Sequence, residues 1–114
     1  MSHLSILPTV LRDAEVLASS LAGLGFQPEW GGELEGFAGS REAVLLSVRF
    51  REGVQLGWRR QPDGSLALVG DLQRLSRSTR VQQVISTITR RYATAMALAD
   101  AHRHFATARV SVKP

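Results

Sequence analysis

The chain changes its hydrophobic period at Ser78, and this change constrains the fold more than any other feature. Before Ser78, short apolar runs alternate with polar residues or are separated by glycine and proline, as is typical of strands and turns. After it, apolar residues recur every three or four positions from Val81 to Ala99, which predicts one amphipathic helix ending near His102. A strand-rich first part is therefore followed by a long helix.

The first 25 residues predict an edge strand and a short helix. Residues 3–11 alternate as a strand does, and Pro8 lacks the N–H group that a central strand would need. Asp13 offers an N-cap oxygen for a helix over about 13–23, and Gly25 is suited to end it.

The remaining strands are expected in the middle of the chain and at its end. Short strands are predicted near Phe26–Glu29 and Glu33–Phe37. Residues 43–72 predict an antiparallel meander, with one turn at Gly53 and another at the sequence QPDG. The alternating sequence FATARVSV predicts a last strand over residues 105–112.

These elements predict one α+β domain spanning residues 1–114. We expect a mostly antiparallel sheet with two helices packed on one face. A helix after the first strand and another before the last one favour a ferredoxin-like topology with extra strands. At 114 residues with 44% hydrophobic side chains, the chain is long enough for one core of its own.

Composition excludes several function classes. The chain has no cysteine, which excludes disulfides, thiol catalysis and cysteine-ligated metals. It lacks a signal-peptide pattern at its start, and no apolar run reaches the roughly 18 residues of a membrane span. We therefore expect a cytoplasmic protein, and no motif predicts a cofactor or a metal site.

Positive charge is concentrated in the last third of the chain. Residues 1–72 carry six arginines against nine acids, whereas residues 73–114 carry seven arginines and one lysine against Asp100 alone, so −3 and +7 give the net +4. This basic segment is interpreted in three ways: a solvated face, a surface for an acidic protein, or phosphate contacts to nucleic acid. The candidate binding residues are Arg74, Arg77, Arg80, Arg90 and Arg91.

Three aromatic residues are candidates for binding or for the core. Trp30 stands beside two glycines and is the better candidate for an exposed stacking contact. Trp58 lies in mid-strand and Tyr92 lies on the apolar stripe of the helix, so core packing is favoured for both.

An enzyme would have to use His3 and Asp71. His3 precedes the first strand, where a structural role is favoured over that of a base or metal ligand. Asp71 lacks a second acid or a nucleophile nearby in sequence, so a capping or turn role is favoured over general-base catalysis. We therefore predict no catalytic residues, and an enzyme ranks behind both binding hypotheses.

Six stretches occur in an order that resembles one known family. They are MSHLS, LAGLGF, ELEGFAG, VQLGWRR, LVGDLQ and RRYA. Together they resemble the family of the conserved hypothetical chloroplast reading frame number thirty-five, which is also found in cyanobacteria and other bacteria and whose function is unknown. His3, Trp58, Asp71 and Tyr92 match its pattern without an assigned role, and Leu4 replaces its usual aromatic residue.

The resemblance implies an accessory or adaptor role, because genes of this family often lie near genes for AAA-type ATPases. Our first hypothesis is accordingly a small non-enzymatic adaptor with a protein partner, an AAA-type ATPase being one candidate. The second is a nucleic-acid-binding protein that uses the basic last third of the chain.

Overall fold

The computed structural model describes residues 4–36, 39–51 and 53–112 of the chain. Strands and turns with one helix among them reach as far as Asp71, and two helices follow. In chain order the elements are β1 (Leu4–Leu7), α1 (Ala14–Gly23), β2 (Glu29–Trp30), β3 (Glu33–Glu35), β4 (Arg41–Ala43), β5 (Leu46–Arg49), β6 (Gln55–Arg60), β7 (Leu66–Asp71), α2 (Leu72–Arg77) and α3 (Thr79–Val112).

Five strands form one antiparallel sheet in the order β1-β7-β6-β5-β2, and β3 pairs with β4 in a second, smaller sheet. The predicted α+β class and the antiparallel meander are confirmed. β1 lies at an edge, as Pro8 predicts. A ferredoxin-like fold places its first strand inside the sheet, so the observed strand order differs from the expected topology.

Each face of the main sheet packs against a different layer. On one face, Leu17 of α1 and Ile88 of α3 pack with Trp58 of β6 in the larger core cluster. On the other face, Leu34 of the small sheet packs with Val69 of β7. Because β7 is covered on both faces, its sequence LALVG is an uninterrupted run of buried residues.

The small sheet approaches the main sheet most closely at Gly57 of β6. A Cβ atom on this glycine would lie 2.6 Å from Cγ1 of Val44 and 2.9 Å from Cδ1 of Leu34. Carbon atoms in ordinary van der Waals contact are about 3.5–4.0 Å apart, so only glycine fits here without movement of the two layers.

The residues that set the two ends of α1 are the ones predicted from the sequence. The Oδ1 atom of Asp13 accepts hydrogen bonds from the backbone N–H groups of Glu15 and Val16, both at 3.0 Å. Gly25, just past the helix, has a φ of 93°, which glycine adopts without strain. The predicted helix over about 13–23 is confirmed.

Two segments in the middle of the chain differ from their prediction. The strand predicted from the sequence AVLLSVRF is divided between β4 and β5, because Val44 turns away to donate its N–H group to the Gly32 carbonyl at 3.0 Å. The short helix α2 was not predicted. It begins directly after β7, where Asp71 accepts from the N–H groups of Gln73 and Arg74.

α3 departs furthest from its prediction. The helix was expected to end near His102 and to be followed by a strand over residues 105–112, but α3 continues to Val112 and that prediction is wrong. No glycine or proline stands between Gly70 and Pro114, and alanine, the strongest helix former, recurs along the segment. The sequence therefore contains no local signal that would end the helix.

The far half of α3 extends beyond the rest of the molecule. The helix has 34 residues, which span about 51 Å at 1.5 Å per residue. The radius of gyration is 16.7 Å, against about 13 Å for a compact domain of this length. Side chains of α3 pack on the core as far as Met96, whereas every residue from Ala97 to Arg103 is exposed. We call Ala97–Arg103 the projecting segment.

Candidate functional site

The five arginines singled out from the sequence do not form one patch. Arg74 and Arg77 are exposed on α2, and Arg80 lies in the first turn of α3. Arg90 and Arg91 follow about 15 Å further along α3. The predicted basic surface is therefore divided among three places.

Arg90 and Arg91 line a groove between α1 and α3. The groove has a volume of about 550 Å³ and also includes Leu98 of the projecting segment. The Nη2 atom of Arg90 donates to Oγ1 of Thr87 at 3.3 Å. The guanidinium of Arg91 lies against Gly23, where a Cβ atom would come within 2.9 Å of Nη2. Arg91 thus places a positive charge at the carboxyl end of α1, where the helix dipole favours it.

Trp30 lies in the edge strand β2, and its side chain is 54% exposed. It lines a cleft of about 440 Å³ together with Leu45, Tyr92 and Met96, at the point where α3 leaves the sheet. The indole therefore stands next to the start of the projecting segment.

Two further arginines of this cleft hold neighbouring loops together. Arg12 donates from Nη2 to the Asp63 carbonyl at 2.6 Å, and Arg60 donates from Nη1 to the carbonyls of Arg12 and Gly64 at 2.8 and 3.0 Å. The carboxylate of Asp63 accepts from Oγ and N of Ser65 at 2.6 and 2.9 Å. These two bonds, the side-chain one first, hold the pKa of Asp63 below its ordinary value.

Tyr92 and Trp58 are parts of the core. The buried ring of Tyr92 brings its hydroxyl to the start of α1, where Oη accepts from the N–H groups of Arg12 and Asp13 at 3.0 and 2.8 Å. Trp58 is buried opposite Leu46 in β5. Both aromatic rings are buried, as predicted.

Asp71 and His3 were the residues on which an enzyme would depend. Oδ1 of Asp71 accepts from the N–H groups of Gln73 and Arg74 at 3.0 and 3.2 Å, so this carboxylate is the N-cap of α2. His3 lies outside the described residues.

A further basic site was not predicted from the sequence. Arg49, Arg51 and Arg80 line a cleft of about 690 Å³, which we call the triple-arginine cleft. The sequence signal is RFR at residues 49–51, because neighbouring side chains of an extended chain point to opposite sides and Phe50 is buried. That Arg80 lines the same cleft could not be predicted from the sequence, because it depends on the tertiary fold.

A protein family described as "Protein of unknown function (DUF1257)" has a model that matches residues 20–111. The chain belongs to this family. The matched DUF1257 region includes Trp30, the triple-arginine cleft and most of α3. The resemblance found in the sequence is thus confirmed at the level of a family of unknown function. No curated protein and no solved structure matches the chain.

Several acidic residues of this DUF1257 protein are engaged with arginines. Glu35 pairs with Arg41 at 3.3 Å, and Glu42 pairs with Arg59 at 3.0 Å. Across residues 4–36, 39–51 and 53–112, no three histidine, aspartate or glutamate side chains are grouped so that they could hold a metal ion. In the same ranges no helix combines the length and the apolar character needed to cross a membrane.

Proposed function

We propose that this DUF1257 protein is a non-enzymatic adaptor that binds a partner protein through the projecting segment and the adjoining face of Trp30. The observation that carries the proposal is the continuation of α3 after Met96, the last of its described side chains that packs on the core, with every residue from Ala97 to Arg103 exposed. These turns of the helix are not needed to cover the sheet. The extra turns offer a regular surface for another protein.

The apolar stripe of α3 leads from the core into this surface. Tyr92 is buried, Met96 is half-buried, and Ala99 follows on the same face but exposed. Trp30 shares a cleft with Tyr92 and Met96. An exposed tryptophan next to this stripe suits a contact with a helix of the partner, and tryptophan is enriched among the residues that dominate binding energy at interfaces.

We propose an acidic surface for the partner. Arg90 and Arg91 line the groove that leads to Leu98 of the projecting segment, and complementary charge raises association rates and disfavours wrong partners. We also propose that the chain belongs more narrowly to the chloroplast reading frame family and that it is located in the cytoplasm. So does an AAA-type ATPase as the partner, since only the gene neighbourhood implied by the resemblance supports it.

Affinity capture with matched charge variants tests the proposal. The tagged full chain, Ala99→Glu and Ala93→Glu would each be used on native lysate, with and without nuclease. Both alanines are exposed on α3, but their side chains point about 120° apart around the helix. We expect a stoichiometric protein that survives nuclease treatment, is lost with Ala99→Glu and is retained with Ala93→Glu.

Three results would contradict the proposal. Loss of the partner with both variants would show that binding does not depend specifically on the side of α3 that carries Ala99. Recovery of RNA or DNA that disappears after nuclease treatment would favour nucleic-acid binding through the basic last third of the chain. Concentration-dependent self-association abolished by Ala99→Glu would make a second copy of the chain the occupant of this surface.

A further inference from the structure

We propose that the groove between α1 and α3 receives an acidic amphipathic helix of the partner protein. This inference rests on the adaptor function proposed above and specifies which part of the partner docks. Ser19 and Ser20 form the α1 wall of the groove, and the α3 wall extends from Thr87 to Leu98, about 16 Å along the helix. At Leu98 the groove reaches the projecting segment.

The walls of the groove determine which secondary structure can bind there. Both walls are α-helices, so their backbone N–H and C=O groups along the groove are bonded within each helix. A peptide strand binds by pairing with the edge of a sheet, and these walls offer side chains alone. Ser19, Arg90, Thr94 and Leu98 are exposed on them. An open channel about three turns long suits a helix laid into it.

Two arginines stand at the end of the groove that lies nearer the start of α3. Arg90 donates to Oγ1 of Thr87 at 3.3 Å, and the guanidinium of Arg91 lies against Gly23. In the described part of the chain neither guanidinium forms an ion pair, and that of Arg91 makes no hydrogen bond. The planar fork of arginine binds a carboxylate with two parallel hydrogen bonds. This end of the groove is therefore suited to carboxylates of a partner.

A second copy of the chain does not supply such an acidic helix. α1 and α3 carry one acidic residue each, Glu15 and Asp100, and α2 carries none. Glu15 lines the cleft of Trp30, and Asp100 accepts a hydrogen bond from Arg103. The helix that fits the arginines must therefore come from a different protein.

The other end of the groove is apolar. Ala95 and Leu98 lie about one and two turns beyond Arg91, and Leu98 is 66% exposed. Nucleic-acid phosphates would pair with the arginines but would leave Leu98 without an apolar contact. A helix with an acidic residue facing Arg91 and an apolar residue about seven positions away matches both ends of the groove.

Site-specific cross-linking tests this docking mode. Because the chain has no cysteine, Thr94→Cys in the groove and Gln73→Cys on α2 each provide one attachment point for a benzophenone maleimide. Both residues are exposed, and Ser19→Cys repeats the test from the opposite wall. After capture from native lysate and irradiation, mass spectrometry identifies the cross-linked segment. We expect an acidic amphipathic segment of the partner from the two groove positions and not from Gln73→Cys.

A synthetic peptide with the sequence of the cross-linked segment then measures specificity. We expect circular dichroism to show helix formation on binding, and the affinity to fall about tenfold or more in Arg90→Gln and in Leu98→Ser. Arg74→Gln removes the same charge from an exposed residue of α2 outside the groove and should change the affinity by less than about twofold. Arg90→Lys keeps the charge but loses the fork, so we expect an intermediate loss.

The outcomes separate a failure of this docking mode from a failure of the adaptor function. A captured partner that cross-links from Ala99→Cys but from neither groove position would retain the adaptor function and exclude the groove. A cross-linked segment without acidic residues, or equal losses of affinity in Arg90→Gln and Arg74→Gln, would exclude the acidic helix. Cross-linking to RNA or DNA would make the groove part of a nucleic-acid surface. If no protein is captured, both proposals are wrong.

Discussion

Gly57→Ala is predicted to destabilise the protein by forcing its two sheets apart. The new methyl group would lie 2.6 Å from Cγ1 of Val44 and 2.9 Å from Cδ1 of Leu34. Val44 must therefore move by about 1 Å to restore normal contact. The end of the Leu34 side chain can rotate, but Val44 is branched at Cβ and lies in the segment between β4 and β5, so its movement shifts the backbone.

The net cost follows from two opposing effects. Overpacking a filled core costs about 1–3 kcal/mol. Replacing glycine by alanine reduces the entropy of the unfolded chain and returns about 0.4–1 kcal/mol. We expect a decrease of about 1–2 kcal/mol in the free energy of unfolding, equivalent to roughly 5–10 °C in Tm for a domain of this size.

A double-mutant cycle with Val44→Ala isolates the clash. Val44→Ala alone removes buried methyl groups and should cost about 2 kcal/mol. In the double variant the methyl group introduced by Gly57→Ala takes up part of that space, so we expect at least about 1 kcal/mol less destabilisation than the sum of the two single variants. Urea unfolding of all four proteins measures this. Additivity within about 0.5 kcal/mol would refute the packing of the small sheet against Gly57.

Two further predictions concern hydrogen bonds around the N-terminal end of α1 and the QPDG turn. Tyr92→Phe removes the acceptor for the N–H groups of Arg12 and Asp13, so urea unfolding should show a loss of about 1–2 kcal/mol; an unchanged midpoint would show that water replaces the hydroxyl. The pKa of Asp63 is lower in the folded chain than its ordinary value of 3.8. The hydrogen bonds from Ser65 to this carboxylate therefore stabilise the fold fully above the unfolded pKa. This contribution is lost as the pH falls through the folded pKa. The difference in urea midpoint between the unchanged chain and Asp63→Asn should therefore narrow as the pH falls below the ordinary value of 3.8 and through the lower folded pKa, and a constant difference would contradict the assignment.

Local signals in the sequence were enough for the elements whose ends are set locally. Asp13 and Gly25 define α1 because a cap and a left-handed residue act within a few positions of the helix they bound. The antiparallel meander followed from turn residues such as Gly53 and Gly64. The exposure of Trp30 and the burial of Trp58 followed from their surroundings in the chain.

The predictions that were wrong concern features that depend on the tertiary fold or on the competition between two local patterns. The segment over 105–112 alternates like a strand, but it continues a helix that nothing stops. β7 already pairs with β1 on one side and with β6 on the other, so it offers no place for a further strand. The arginines seemed to form one basic segment because they are near one another in sequence. In the fold, Arg80 instead joins Arg49 and Arg51, which come from the other half of the chain.

Hydrogen–deuterium exchange on the captured complex tests the adaptor function most directly. Amides of a helix without tertiary contacts exchange quickly, so the projecting segment Ala97–Arg103 should exchange faster in the free chain than the part of α3 before Met96. On binding the partner, we predict strong protection in this segment and around Trp30, with little change in the triple-arginine cleft. Protection confined to the cleft, or to Arg74 and Arg77 on α2, would contradict the account.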